Sequence, residues 1–139
     1  MFRRKPELLH RMMAEERKTK LVSDTKIYLD CRKLLDAILD VIPSFPRTYK
    51  FTIGSQMQDI GVNLLTEAAA AYMVKDRRQR LQHLETFQYE FQTLKTLLRL
   101  SFEREWLRGL GKYADIIELT DEIGKQSSAW KNSLTKVMG

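Results

Sequence analysis

The sequence is short of almost everything that supports covalent bracing or active-site chemistry. Its 139 residues include one cysteine, two histidines, three prolines and six glycines. A lone cysteine excludes an internal disulfide framework and a thiolate zinc site, and fits a reducing compartment. His10 and His83 have no second histidine or cysteine three or four residues away, the spacing that puts two metal ligands on one helical face. With so few prolines and glycines, regular elements can be interrupted only rarely. Long hydrophobic runs are missing too. The least charged stretch, residues 54–74, still holds Gln56, Gln58, Asp59, Asn63, Thr66 and Glu67, too polar for a bilayer span. The basic N-terminus is broken by Glu7, His10 and Arg11 before an apolar signal core could form. The expectation is a cytoplasmic protein without a membrane segment.

Catalytic patterns are equally scarce. No Lys-Ser or Lys-Thr follows Gly54 or Gly61, so a Walker phosphate loop is excluded. Glu85 and Glu90 lack the histidine three residues on that di-iron helix bundles require. Cys31 falls on an apolar helical stripe and reads as an inert buried thiol. The residues point to no enzyme, no metal and no cofactor.

What is present is helical periodicity. Hydrophobic residues at 43% and charged ones at 30% describe a globular chain with enough apolar surface for one core. From a candidate N-cap at Ser23, Ile27, Cys31, Leu34, Ile38 and Val41 recur at helical steps, and Tyr28, Leu35, Leu39 and Ile42 widen the stripe. Pro43 and Pro46 end this helix, predicted over about 24–42. A second, about 50–74, carries Ile53, Met57, Ile60, Leu64, Ala68 and Ala71. Asp76 with Gln79 resembles a capping box for a third, about 76–105, whose stripe is Leu84, Phe87, Phe91, Leu94, Leu98 and Phe102. Gly109 and Gly111 mark a turn, and a fourth helix, about 113–137, carries Ile116, Ile123, Trp130, Leu134 and Val137. No segment alternates with period two. The predicted fold is all-α: an up-down-up-down four-helix bundle over residues 23–139, preceded by a basic arm at residues 1–22.

Two features speak of partners. Between Gly54 and Val74 only Asp59 and Glu67 are charged, and the face opposite the core holds Val62, Ala69 and Met73. On the third helix Tyr89, Leu97 and Leu100 likewise point away from the stripe. A mild solvent face and a surface buried by further copies of the chain both fit; the second makes these six residues a homo-oligomer interface. The net charge of +6 is unevenly spread. Residues 1–20 carry seven basic and three acidic side chains, and residues 75–112 carry nine and five, while the remaining segments are slightly acidic. Arg77, Arg78 and Arg80 crowd the start of the third helix, where its dipole disfavours cations. Lys95 and Arg99 form an i, i+4 basic pair, and Arg104, Arg108 and Lys112 surround the following turn. Solubility and ion pairing, for instance of Arg99 with Glu103, is one explanation; contact with phosphates of RNA or DNA is the other.

Three stretches carry a family resemblance: FPRTYKFTIG at 45–54, LKTLLRL at 94–100 and DEIGKQSSAWKNS at 121–133. Together they resemble the accessory variability determinant (Avd) proteins of diversity-generating retroelements. The same superfamily includes bundles encoded in intervening sequences of bacterial large-subunit ribosomal RNA genes; the fourth-helix pattern is closer to the retroelement branch. The resemblance covers about residues 24–136. It implies a homopentameric ring with a basic surface that binds nucleic acid, associates with a reverse transcriptase and supports mutagenic cDNA synthesis from template-repeat RNA without catalysing it. Carried onto this chain, the candidate contacts are Arg77, Arg78, Arg80, Lys95, Arg99, Arg104, Arg108 and Lys112, with Lys125 and Lys131 of the fourth helix. The alternative is a protein-docking module of the ribosomal branch without a nucleic-acid role. In physical terms Phe45 and Phe51 would plug the bundle end, Gly124 would let the fourth helix approach a neighbour, and Trp130 would fill the core beside it.

Overall fold

The computed structural model describes residues 8–11, 25–107 and 109–138. The predicted Ser23 cap, Arg108, the side chain of Val137 and all of the N-terminal arm except the helical turn at 8–11 lie outside the described residues. Among the described residues the chain is all-helical, with no strand.

Helix α1, Lys26–Val41, follows Thr25, whose backbone is extended as an N-cap requires. Its predicted stripe is its buried face: Ile27, Cys31, Leu34, Leu35, Ile38 and Val41. Leu39, assigned to that stripe, is instead exposed, because it lies one residue past the inward arc set by Leu34, Leu35 and Ile38. Pro43 does not end the helix outright. It tightens the last turn into a 3₁₀ segment, Ile42–Ser44, where its missing N–H costs nothing. The chain turns helical again at Arg47–Tyr49, widens into a π-turn at Lys50–Gly54, and runs as α2 from Ser55–Met73.

Helix α3, Arg77–Glu103, starts at Asp76, whose carboxylate accepts the Gln79 backbone N–H at 3.2 Å. Helix α4, Leu110–Met138, begins earlier than predicted, so Gly111 lies inside it. The turn glycine is Gly109, with φ +92°, a conformation other residues rarely adopt. The end of α3 is a left-handed cap built on Glu105 (φ 61°), with the Trp106 N–H reaching back to the Ser101 carbonyl at 2.9 Å.

The four long helices pack in a closed circuit, α1 on α2, α2 on α3, α3 on α4 and α4 on α1, with α2–α3 the most extensive contact. Gly61 faces Leu35 between α1 and α2; a Cβ there would sit 2.8 Å from Leu35 Cδ1, so that leucine's methyl would have to move aside. Gly124 plays no such part. A Cβ there would meet Phe91 at 3.6 Å, an ordinary contact. The inward row of α4 includes two buried hydroxyls, Thr120 and Ser127, which donate to the Ile117 and Gly124 carbonyls at 2.8 and 3.2 Å. Trp130 is half-buried and packs against both the main core and a smaller one of Ala71, Leu84 and Leu134.

Cys31 is buried, and that burial, reinforced by the neighbouring Asp30 carboxylate, pushes its thiol up to about 12. A chromogenic disulfide reagent at pH 8 should therefore leave the native protein unmodified and titrate one thiol once urea unfolds it. Prompt reaction of the native protein would overturn that burial.

Candidate nucleic-acid interface

The connections sort the molecule into two ends. Phe45, Tyr49, Phe102, Trp106 and Tyr113 meet at one of them, where Phe102 and Tyr113 stack at 3.9 Å. The end of α2, the start of α3 and the last part of α4 meet at the other, around Ala71, Leu84 and Leu134. Arg77 and Arg104 therefore stand at opposite ends, about 40 Å apart at 1.5 Å per helical residue. The basic residues named from the sequence do not form one patch.

At the Arg77 end, Arg77 and Arg78 are exposed in the first turn of α3, with Lys75 just before them. Lys131 is half-buried, and Lys136 is exposed in the last turn of α4, where the dipole favours a cation. Among the described residues none of these five is ion-paired. Arg80 differs. Its guanidinium donates to the Ala71 carbonyl at 2.8 Å and the Val74 carbonyl at 2.7 Å, satisfying acceptors that the end of α2 leaves open. Arg80 thereby clasps the end of α2 to the start of α3. Nearby, His83 Nδ1 lies 2.7 Å from a Glu67 carboxylate oxygen, a second tie between the same helices.

Arg80→Ala should lower stability by about 1.5–3 kcal/mol in urea unfolding, the range for hydrogen bonds from a charged group. Arg80→Lys should recover little, since an ammonium cannot reproduce the two-pronged guanidinium geometry. Full recovery by lysine would count against the clasp.

Elsewhere the cations have varied surroundings. Lys95 is exposed, with its ammonium 5.2 Å from the Phe91 ring centroid, and Arg99 one turn on is exposed without the suggested ion pair to Glu103. Arg104 packs over Tyr49 and Trp106 at 5.8 and 5.6 Å. Lys112 and Lys125 are exposed. Arg47 and Lys50 were missed from the sequence; they flank Tyr49, which lies under Arg104. Averaging over the slightly acidic segment 21–74 hid them. Both belong to the FPRTYK stretch at the turn into α2.

Acidic side chains collect on another face. Asp30, Asp115, Glu118 and Glu122 line a groove between α1 and α4. Lys26 there contacts Asp30 at 3.1 Å and Glu122 at 3.2 Å, while Gln126 donates to Asp30 at 2.7 Å. Hydrogen bonds to Asp30 and then Glu122 hold the Lys26 ammonium above the ordinary lysine range. A polyanion would be repelled from this face and admitted along α3 and the two ends.

Of the residues named for an oligomer interface, Val62, Met73, Tyr89 and Leu100 are exposed and Ala69 is half-buried. Leu97 packs partly against the protein's own core, because it lies beside Leu94 and Leu98 on the inward arc. The plug at the bundle end is also different from expectation. Phe45 is buried against Trp106, but Phe51 is 71% exposed. Tyr49, not Phe51, stacks on the Trp106 ring, at 4.6 Å.

Among the described residues no group of three or more His, Cys, Asp or Glu side chains could hold a metal ion, and no helix is long and apolar enough to cross a membrane. What the chain offers is an all-helical scaffold with displayed, unpaired cations. The profile of the bAvd-like family matches residues 21–134, so the chain belongs to the bAvd-like family. Among curated proteins none matches it.

Proposed function

We propose that this protein is a non-catalytic, nucleic-acid-binding accessory subunit that associates with the reverse transcriptase of a diversity-generating retroelement and supports mutagenic cDNA synthesis from template-repeat RNA in the cytoplasm. The scaffold is an up-down-up-down four-helix bundle over residues 23–139 with a basic arm at 1–22. Its closed circuit of helices and short connections supports that topology. Several copies, five by family analogy, close into a ring through the charge-poor faces of α2 and α3. The exposed Val62, Met73 and Tyr89 support this, since a solitary subunit gains nothing from them.

The observation that carries the nucleic-acid role is the gathering of Lys75, Arg77, Arg78, Lys131 and Lys136 at one end without a carboxylate partner among the described residues, while acidic groups cluster between α1 and α4. Binding of RNA through such groups displaces counterions, so affinity should fall steeply and linearly in log–log terms as salt rises. A fluorescence-anisotropy salt titration tests this. Absence of RNA and DNA binding at low salt would overturn the proposal and leave the protein-docking alternative. Light scattering tests the ring, and a particle at the monomer mass of 16.4 kDa would overturn it.

A further inference from the structure

Two aromatic rings stand out in water, Phe51 at 71% exposure and Tyr89 at 77%. Their surroundings differ in sign. Tyr89 sits on α3 beside Glu90 and one turn after Glu85. Phe51 lies in a stretch with no carboxylate between Asp40 and Asp59, and Arg47 and Lys50 accompany it. Arg47 is one helical turn before Phe51, on the same side of the chain, and is exposed; Lys50 is half-buried. Neither is ion-paired among the described residues. Exposed hydroxyl residues Thr48, Thr52 and Ser55 complete the surface.

From this we infer that Phe51 is a stacking platform for an unpaired base of single-stranded nucleic acid, with Arg47 and Lys50 contacting the adjoining phosphates. The inference rests on the nucleic-acid reading above and names the form of ligand that this end takes. A flat apolar ring in water gains by covering its face with a base, and every base has one, so the contact needs no sequence. Four residues apart, ring and guanidinium are neighbours along the chain, within reach of a base and its own phosphate. In a duplex the bases are already stacked on one another, so the ring would have nothing to receive.

A second copy of the chain is the competing occupant, because Phe51 is exposed just before α2, whose Val62 and Met73 are exposed too. From Ser55 to Met73 α2 offers no cation, whereas covering Phe51 would also dehydrate Arg47. A polyanion supplies opposing charge along its whole length, whereas the face of a second copy carries one exposed carboxylate, Asp59.

The test uses the full-length protein with two probes, a fluorescein-labelled oligouridylate strand and a mixed-sequence RNA duplex. Phe51→Ala should weaken single-strand binding about tenfold, within the range for loss of one aromatic–base stack, and leave duplex binding within about twofold. Phe51→Trp should retain single-strand affinity. Arg47→Ala should weaken binding of the strand and flatten its salt dependence by about 0.7 in log–log slope, one phosphate contact fewer. Unchanged single-strand binding by Phe51→Ala, or equal losses on both probes, would overturn the inference while leaving the nucleic-acid role standing. A drop in particle mass for Phe51→Ala would give Phe51 to the copy interface and overturn it too. If the wild type binds neither probe at low salt, both the role and this site fall.

Discussion

Trp106→Ala should destabilise the protein by about 3–5 kcal/mol, the range for emptying a buried large aromatic site. The ring is 7% exposed and stands at the centre of the end where α1 hands over to α2 and α3 to α4. Phe45 lies 5.3 Å from it and Tyr49 4.6 Å, the latter nearly parallel at 23°. The Arg104 guanidinium covers both Tyr49 and Trp106. Removing the indole therefore strips three neighbours of a contact at once. The backbone around it is held separately. The Ser44 hydroxyl donates to the Trp106 carbonyl at 2.7 Å, and the Trp106 N–H closes the α3 cap. Those bonds survive the substitution, so the loss reports packing. Urea unfolding should show a lower midpoint with an unchanged slope. Phe51→Ala, at the residue first expected to plug this end, should change stability by less than about 0.5 kcal/mol. The reverse order of the two effects would refute the placement of both rings.

That pair of rings shows what the sequence could and could not convey. Helix faces were legible because burial follows a period: every residue of the α1 row Ile27, Cys31, Leu34, Ile38 and Val41 is buried, as are Leu84 to Leu98 along the α3 row. Failures occur where the period breaks. In the π-turn at Lys50–Gly54 each residue advances less than in an α-helix, so the α-helical period does not place Phe51, which stands exposed while Tyr49 stacks on Trp106. After Glu103 the chain leaves the helix through a left-handed glutamate, Glu105, which glycine-based turn signals do not register, while Gly109 marks the end of the same turn. Trp106 and Leu107, both buried, belong to that unperiodic stretch. Hydroxyls form a third blind spot. Ser101, Thr120 and Ser127 are inward-facing because each bonds a carbonyl of its own helix, a compensation that a hydrophobicity pattern does not register. For the site, cation density along the chain was visible, but whether a guanidinium is free or spent on a carbonyl depends on where the preceding helix ends. Arg77 and Arg80 are indistinguishable in the sequence and opposite in the structure.

The double variant Arg77→Glu, Arg78→Glu turns that contrast into a measurement. Both side chains project from the first turn of α3, where the unpaired N–H groups and the dipole repel cations and attract carboxylates. Reversing the charges should raise stability by a few tenths to about 1 kcal/mol, provided that neither arginine holds the fold. The same change should weaken RNA binding tenfold or more at about 0.1 M salt and reduce the salt slope by about 1.4, two single-strand phosphate contacts at roughly 0.7 each. In a ring the loss multiplies with the number of subunits touching one strand. Opposite signs for folding and binding are the signature of residues kept for a ligand at some cost to the scaffold. Arg80→Ala provides the counterpart: stability falls because the α2 carbonyls lose their donor, and binding by the folded fraction changes little. Comparing both variants at a temperature where each is fully folded separates the effects. Wild-type affinity and slope in the double variant would exclude this end of the molecule as the RNA surface. Lost stability there would instead make Arg77 and Arg78 structural, like Arg80, and the interface would have to lie on Arg47, Lys50, Arg99, Arg104 and Lys112 at the other end.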